Sequence, residues 1–315
     1  MLCGLPRSGT SWIGKIVDSH PHTLYLHEPD KILPLRIETR NDGRLEEFIA
    51  AYVDQLPTKL STDMFVYPLM RTEGSTRASH ALKTAAISGA KLLSRCFGNM
   101  RLPSVLRGHD DLRLAWKSVR LPRYIATVAR AAPHQRVVYI IRHVGGYLGS
   151  QVVGRKIGLL GGRPENHPSK LLEQLFDDNN EGQSIEYGLR RTDIAEMEPY
   201  QRMAWYWTII NHRAIVGLRA VGNALIVSYD RFAVDPINVA QKMFGHLELN
   251  WCAEVERYIG LSTCDDRANY YSLTKDPIKS STKWRSVLSV EQVEWICSHI
   301  LPTVPGRFCL EEPIK

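Results

Sequence analysis

The chain has 315 residues, with 40 Lys or Arg against 33 Asp or Glu, which gives a formal net charge of +7. Its content of 44% hydrophobic and 23% charged residues is typical of a globular chain and excludes disordered, collagen-like and coiled-coil classes. No window approaches 18 consecutive apolar residues, and the N-terminus lacks the layout of a signal peptide. We therefore expect a cytoplasmic protein without a membrane span.

Short apolar runs alternate with helical patterns, which predicts a β-α-β order along the chain. The predicted strands are Met1–Leu5, Thr23–His27, Leu112–Val119, Arg136–Ile141 and Ala224–Tyr229. The predicted helices are Gly9–Asp18, Leu45–Gln55, Ser79–Phe97, Tyr124–Ala131, Pro199 to about Val221, and a final helix from a capping box at Ser289 to about Ile300. Fully apolar strands are typical of a parallel sheet with helices on both faces. We expect one α/β domain over residues 1–315. The strand and helix patterns weaken at about 154–198, and we call this segment the excursion.

The cysteines and histidines give no metal-site pattern. The six cysteines contain no C-x-x-C pair, which argues against both a zinc site and a disulfide scaffold. His20, His22 and His27 lie close together, but no further ligands follow at metal-binding spacing. We expect reduced thiols and no bound metal.

The positive charge is concentrated in residues 71–130, which contain twelve Lys or Arg and only three Asp or Glu. This stretch carries +9, so the rest of the chain is close to −2. The concentration indicates either a nearby anionic ligand or surface, or a solvated helical face, and spacing alone leaves both open.

Residues 4–12, Gly-Leu-Pro-Arg-Ser-Gly-Thr-Ser-Trp, lie between the first predicted strand and the first predicted helix. A loop in this position points backbone N–H groups at one spot, and the helix dipole and Arg7 add positive potential, which predicts a phosphate or sulfate site. The spacing nearly matches the nucleotide P-loop G-x-x-x-x-G-K-[ST], but threonine replaces the lysine at position 10. Loss of that lysine disfavours a nucleoside triphosphatase.

A second candidate anion site follows the apolar strand that ends at Ile141. Arg142 comes directly after this strand, and Ser150 follows eight residues later. An arginine at the carboxyl end of a central strand, with a hydroxyl at the start of the following helix, can clamp a phosphate. The alternative is an arginine in a structural salt bridge.

These two motifs resemble those of the sulfotransferases that use 3′-phosphoadenosine 5′-phosphosulfate (PAPS). Residues 6–12 match the family pattern P-[KR]-S-G-[TS]-[TS]-[WFL] at every position, and Arg142 and Ser150 match the pair that holds the 3′-phosphate. The chain departs from many members at His143-Val144, where they have an Asp-Pro pair. The resemblance implies a P-loop-like fold, PAPS as co-substrate, no metal, and an acceptor with a free hydroxyl.

The resemblance continues along most of the chain. Lys117-Ser-Val-Arg120 is similar to a segment of carbohydrate-type members, and residues 227–232 are similar to a stretch whose tyrosine approaches the adenosine. Residues 281–284 resemble a late loop that folds over the nucleotide, although the R-K-G signature of phenol-type members is absent. The resemblance implies a cofactor site composed of Pro6, Arg7, Ser8, Gly9, Thr10, Ser11, Trp12, Arg142, Ser150, Tyr229 and Lys283. Lys15, on the first predicted helix, faces either the sulfate or solvent.

Sulfuryl transfer needs a base for the acceptor hydroxyl and cations, such as Arg7, for the charge on the moving group. Glu28 follows the second predicted strand, at the sheet edge where the first loop also lies. In carbohydrate and tyrosine members a glutamate after this strand is the expected base. Strand alternation aims His27 and Glu28 to opposite sides, so we favour Glu28, with His27 as the competing base and a helix-capping carboxylate as the inert alternative.

The favoured function is therefore PAPS-dependent sulfuryl transfer to a hydroxyl. The resemblance of Glu28 and Lys117 to carbohydrate-type members favours a carbohydrate acceptor, and the basic stretch would suit an anionic glycan. We expect no nucleic-acid partner. The alternative is a P-loop-like module that binds a nucleotide without transfer, or an atypical kinase. The acceptor would be shaped by residues 40–110 and by the excursion at 154–198, which carry no motif.

Overall fold

A computed structural model describes the ranges 1–31, 45–60, 113–157, 171–173, 175–176, 187–263 and 276–311. The predicted helix Ser79–Phe97 lies outside these ranges. Residues 71–112 of the basic stretch and most of the excursion at 154–198 also lie outside them.

A five-stranded parallel sheet forms the centre of the described chain. Its strands are β1 (Leu2–Cys3), β2 (Thr23–His27), β3 (Arg113–Ser118), β4 (Val137–Ile141) and β5 (Ala224–Ser228). They are ordered β2-β3-β1-β4-β5, and every neighbouring pair is parallel. The predicted α/β class with a central parallel sheet is confirmed. Because β1 is central, the loop that leaves it lies between the carboxyl ends of β3 and β4.

Helices connect the strands and cover the sheet. They are α1 (Thr10–Asp18), α2 (Leu45–Leu60), α3 (Ile125–Ala131), α4 (Val144–Lys156), α5 (Arg191–Glu196), α6 (Pro199–Arg219), α7 (Tyr229–Val234), α8 (Pro236–His246), α9 (Ala253–Thr263), α10 (Pro277–Thr282), α11 (Val290–His299) and α12 (Val304–Glu311). Short 3₁₀ turns occupy Pro29–Lys31, Pro122–Tyr124 and Lys283–Ser286. Within the described ranges, no helix is both long and apolar enough to cross a membrane.

Several elements differ from the sequence prediction. α2 extends to Leu60, five residues beyond the expected end at Gln55. The helix expected to be last begins with the predicted capping box at Ser289, but α12 follows it. Thr303 starts α12, since its hydroxyl accepts a hydrogen bond from the Gly306 N–H at 3.3 Å. The strand expected to end at Tyr229 ends one residue earlier, because the Ser228 hydroxyl accepts the Arg231 N–H at 3.4 Å and caps α7.

The alternation of β4 divides the core into two layers. Val137, Tyr139 and Ile141 pack in one cluster with residues of α3, α4 and α6. Val138 and Ile140 pack in the other, with residues of α1, α8 and α9. All five side chains are fully buried, which explains why a strand covered on both faces is apolar throughout.

Asn223 fastens the connection between α3, β4 and β5. Its buried side-chain amide shares its hydrogens among the carbonyls of Ala129, Ala132 and Gln135, at 2.9, 3.2 and 3.0 Å. The backbone carbonyl of Asn223 accepts the N–H of Val137, the first residue of β4, at 2.8 Å. One side chain therefore satisfies carbonyls at the end of α3 that the helix itself cannot pair.

Replacing Asn223 with alanine leaves these carbonyls without their donor, so we expect the free energy of unfolding to fall by about 2–4 kcal/mol. Urea unfolding followed by far-UV circular dichroism measures the loss. The control is Asn238→Ala, because the exposed Asn238 amide bonds the exposed Asp235 carboxylate, and we expect a loss of about 0.5 kcal/mol or less. Equal losses in the two variants would contradict the role of Asn223.

Candidate functional site

The carboxyl ends of the parallel strands meet at one edge of the sheet, which we call the carboxyl edge. The loop at residues 4–9 leaves β1 there, and Glu28 follows β2. Lys117 lies at the end of β3, Arg142 follows β4, and Tyr229 follows β5. The topology thus brings together side chains that are more than two hundred residues apart in sequence.

The loop between β1 and α1 has a strained backbone that exposes a helix end. Arg7 and Gly9 adopt left-handed conformations, with φ of 75° and 85°. Gly9 is the N-cap of α1, no described side chain caps that helix, and its first turn contains no acidic residue. The first N–H groups of α1 and its dipole therefore favour an anion at the carboxyl edge.

Tyr229 packs directly on this loop. A Cβ at Gly9 would overlap the ring of Tyr229, and the edge of Trp12 lies against the same ring, with 6.0 Å between ring centroids. Burial raises the pKa of Tyr229, so its hydroxyl stays protonated. Glycine is thus required at position 9 both for the backbone conformation and for the space that the tyrosine fills.

Two arginines converge on the β4 side of the loop. The Arg7 Nε donates to the Ser150 hydroxyl at 2.9 Å, and Arg142 donates to the Arg7 carbonyl at 3.1 Å and to the Ser280 carbonyl. The Arg142 guanidinium also lies 4.7 Å from the centre of the Tyr229 ring. Its Nε is buried and has no hydrogen-bond partner among the described residues. This donor set of two guanidinium groups, a hydroxyl and an unsatisfied N–H suits a phosphate.

A buried cation lies on the other side of the loop. The Lys117 ammonium is 2.9 Å from the Ser11 hydroxyl, 2.8 Å from Glu28 Oε1 and 3.5 Å from His27 Nε2. Lys117 and Glu28 are only 2% and 7% exposed, so water screens this ion pair less than a surface pair. The carboxylate of Glu28 and the ammonium of Lys117 thus lie together beside the N-terminus of α1, where an anion is favoured.

Both candidate bases point to the same place, contrary to the expectation from strand alternation. His27 Nε2 lies 3.5 Å from Glu28 Oε1, and both side chains approach Lys117. The reason is the backbone of Glu28, whose φ of 54° ends the alternation of β2. Such a left-handed conformation costs a glutamate about 1–3 kcal/mol, which is typical of functional sites.

Sequence reasoning missed two carboxyl groups behind the site, those of the buried Asp30 and the half-buried Asp230. Asp30 accepts the Ser118 hydroxyl hydrogen at 2.6 Å, and Asp230 accepts the His143 N–H at 2.6 Å. Burial raises the pKa of both carboxyl groups. Asp230 lies in a segment already singled out by its resemblance, whereas Asp30 looks like an ordinary acid at the start of a turn.

The structure places Trp12 and Lys15 away from the carboxyl edge. The buried indole of Trp12 donates to the Ser262 hydroxyl at 3.0 Å and packs against Phe232. Lys15 is also buried and pairs with Asp18 on its own helix, so it faces neither of the environments considered for it. Both side chains contribute to the packing of α1.

The late segment lies against α4 through Trp284 rather than through Lys283. The Trp284 ring stacks on His143, with 5.0 Å between centroids, whereas Lys283 is exposed. Burial lowers the pKa of His143, and the neutral ring accepts the Gly145 N–H at 3.1 Å as the cap of α4. Pro6 is exposed, Ser8 is buried in the loop, and Thr10 is buried at the start of α1. Among the described residues, no group of three or more His, Cys, Asp or Glu is arranged to hold a metal ion.

Gly9→Ala should destabilise the chain more than an ordinary left-handed glycine would. Gly188 has a φ of 66°, and a Cβ there would meet no described atom within 4 Å, so Gly188→Ala isolates the backbone strain at about 1–2 kcal/mol. Overlap with Tyr229 should add roughly 1–3 kcal/mol for Gly9→Ala. Urea unfolding measures both variants, and equal losses would contradict the close packing of Tyr229 on the loop.

Several solved structures are distantly similar to the chain. The chain is similar to the sulfotransferase domain from the curacin biosynthetic pathway, at 14% identity and a TM-score of 0.44, with 94% of this chain and 95% of that chain covered. The sulfotransferase domain of the Synechococcus PCC 7002 olefin synthase gives 14% identity and a TM-score of 0.42, with coverages of 99% and 94%. Sulfotransferase STF9 from Mycobacterium avium gives 13% and 0.39, with coverages of 95% and 76%.

The assignment of the chain rests on its sequence rather than on those distant structures. A search of curated protein sequences found no match. The model of the sulfotransferase family matches residues 1–253, a range that contains the five described strands and every side chain placed at the carboxyl edge. The chain therefore belongs to the sulfotransferase family.

Proposed function

We propose that this protein transfers the sulfuryl group of PAPS to a carbohydrate hydroxyl, with Glu28 as the base. Membership of the sulfotransferase family supports sulfuryl transfer. The observation that carries the finer proposal is the carboxyl edge itself. There, the N-terminus of α1 lies between an arginine pair on one side and the buried Lys117–Glu28 pair on the other.

The β4 side would hold the donor. The unsatisfied, buried Nε of Arg142 and the hydroxyl of Ser150 suit the 3′-phosphate, while Arg7 and the amides of residues 9–11 suit the 5′-phosphosulfate. The Ser8 amide, which the sequence also suggested, instead donates to the Leu5 carbonyl at 3.1 Å. Tyr229 would contact the adenosine, with Trp12 packed behind it. Pro6 and Lys283, both exposed, would lie at the rim. When bound, PAPS supplies the sulfuryl group and a phosphate leaving group.

The β2 and β3 side would hold the acceptor. Glu28 would take the proton of the acceptor hydroxyl, and Lys117 would stabilise the negative charge on the group in transfer. Ser11 bonds Lys117 at 2.9 Å and so joins the cation to the start of α1. The burial of Lys117 and Glu28 strengthens these electrostatic effects. His27 remains the competing base, because its Nε2 lies 3.5 Å from the same ammonium.

The carbohydrate acceptor rests on the family resemblance of Glu28 and of the Lys117-x-x-Arg120 segment. Arg120 is exposed just beyond the end of β3, where it could meet an anionic sugar. We also propose that residues 1–315 form one catalytic domain and that the excursion at 154–198 shapes the acceptor side.

Binding of the product tests the donor site. Adenosine 3′,5′-bisphosphate should raise the melting temperature, because at 100 times Kd a ligand stabilises a protein by about 2.7 kcal/mol, whereas ATP with Mg²⁺ should not. Arg142→Ala should weaken bisphosphate binding by about 1.5–3 kcal/mol in calorimetric titration. Adenosine 5′-phosphate is the matched ligand, since without a 3′-phosphate its affinity should change little. Preferential stabilisation by ATP with Mg²⁺ would instead favour the kinase alternative.

Glu28→Gln should lower kcat by about 10²- to 10⁴-fold, the usual contribution of a positioned general base, while bisphosphate affinity changes little. The assay follows transfer of ³⁵S label from PAPS into a mixed polysaccharide extract. His27→Ala is the matched variant and should retain most of the activity. An active Glu28→Gln variant together with an inactive His27→Ala variant would assign the base to His27. If the label appears in other products of the extract and none appears in the polysaccharide, a carbohydrate acceptor is excluded.

A further inference from the structure

Asp30 is a buried carboxylate to which the proposed reaction gives no part. It lies two residues after Glu28 in the 3₁₀ turn Pro29–Lys31 and is 2% exposed. Its Oδ2 accepts the Ser118 hydroxyl hydrogen, but its Oδ1 is buried without a hydrogen-bond partner among the described residues. A buried carboxylate with one unsatisfied oxygen destabilises a fold, so packing alone does not account for it.

The Ser118 hydroxyl uses its whole hydrogen-bonding capacity. It accepts the N–H of Arg120 at 3.1 Å and the N–H of Leu121 at 3.2 Å, and it donates its single hydrogen to Asp30 at 2.6 Å. Asp30 therefore fixes the orientation of this hydroxyl. The bond joins the turn that follows β2 to the last residue of β3.

Glu28 lies between two such connections. Its left-handed φ of 54° is unfavourable for a glutamate, and a residue before proline, here Pro29, prefers an extended backbone. On one side, the Glu28 N–H donates to the Lys117 carbonyl at 3.0 Å. On the other side, Asp30 is tied to Ser118. Consecutive residues at the end of β3 thus hold the chain on both sides of the strained position.

We infer that Asp30 is a positioning residue that, through the Ser118 hydroxyl, holds the backbone of Glu28 so that its carboxylate reaches Lys117. The inference rests on the proposed function, because it matters to the reaction only if Glu28 is the base. The role requires a hydrogen-bond acceptor at position 30 and does not require a charge. Asparagine, whose side-chain oxygen can accept the same hydrogen, should therefore replace aspartate.

The first test compares turnover in the ³⁵S transfer assay with the polysaccharide extract. Asp30→Ala and Ser118→Ala should each lower kcat by about 10- to 100-fold, the effect of a misplaced catalytic group, with bisphosphate affinity unchanged within about twofold. Asp30→Asn should restore most of the turnover. Ser19→Ala is the matched control, because that buried hydroxyl donates to the Ile16 carbonyl at the opposite end of α1 and should leave kcat unchanged.

A double variant shows whether Asp30 acts through Glu28. If it does, Asp30→Ala combined with Glu28→Gln should lose no more turnover than Glu28→Gln alone. Hydrogen exchange gives a readout without turnover. The amides of Arg120 and Leu121 should lose protection in Asp30→Ala and keep it in Asp30→Asn, because Ser118 holds them only when its hydroxyl is oriented.

The two proposals fail in different ways. Wild-type turnover in Glu28→Gln would overturn the base assignment on which the inference depends. With Glu28→Gln inactive, three outcomes would overturn the role of Asp30 alone: additive losses in the double variant, unchanged exchange protection in Asp30→Ala, or an Asp30→Asn as inactive as Asp30→Ala.

Discussion

The site depends on the contacts of one buried cation, the ammonium of Lys117. It belongs to the end of β3 but contacts Ser11 in the first turn of α1 and Glu28, which follows β2, so one charge links the start of a helix to the ends of two strands. A buried ammonium is tolerated only when it is paired and hydrogen-bonded. The position of Lys117 therefore constrains the start of α1 and the end of β2 together. Removing either neighbour would disturb the other through the same cation.

The sheet was predictable because its sequence signal is strong and local. β4 is an apolar run, and its complete burial follows from the packing of helices on both of its faces. Boundaries were less predictable where a single hydrogen bond decides them. The Ser228 cap turns the expected last residue of β5 into the first residue of α7, and the Thr303 cap starts a helix that follows the expected last one.

The meeting of site residues at one edge follows from topology, but their orientation does not. Sequence periodicity sends His27 and Glu28 to opposite sides, whereas a left-handed φ at Glu28 brings both to Lys117. No pattern of residue types predicts that conformation, because it depends on contacts with β3 that are distant in sequence. Asp30 escaped notice for the same reason, since its partner Ser118 is 88 positions away.

The contact of Trp284 with α4 couples positions that must change together in evolution. A Cβ at Gly145 would lie 2.5 Å from the Trp284 ring, and one at Gly149 would lie 2.8 Å from the Trp284 Cβ. A larger residue at either glycine is compatible with the fold only if the indole is displaced or replaced by a smaller side chain. Because the same helix carries Ser150, an accepted substitution at one of these three positions alters which later substitutions the anion site can tolerate.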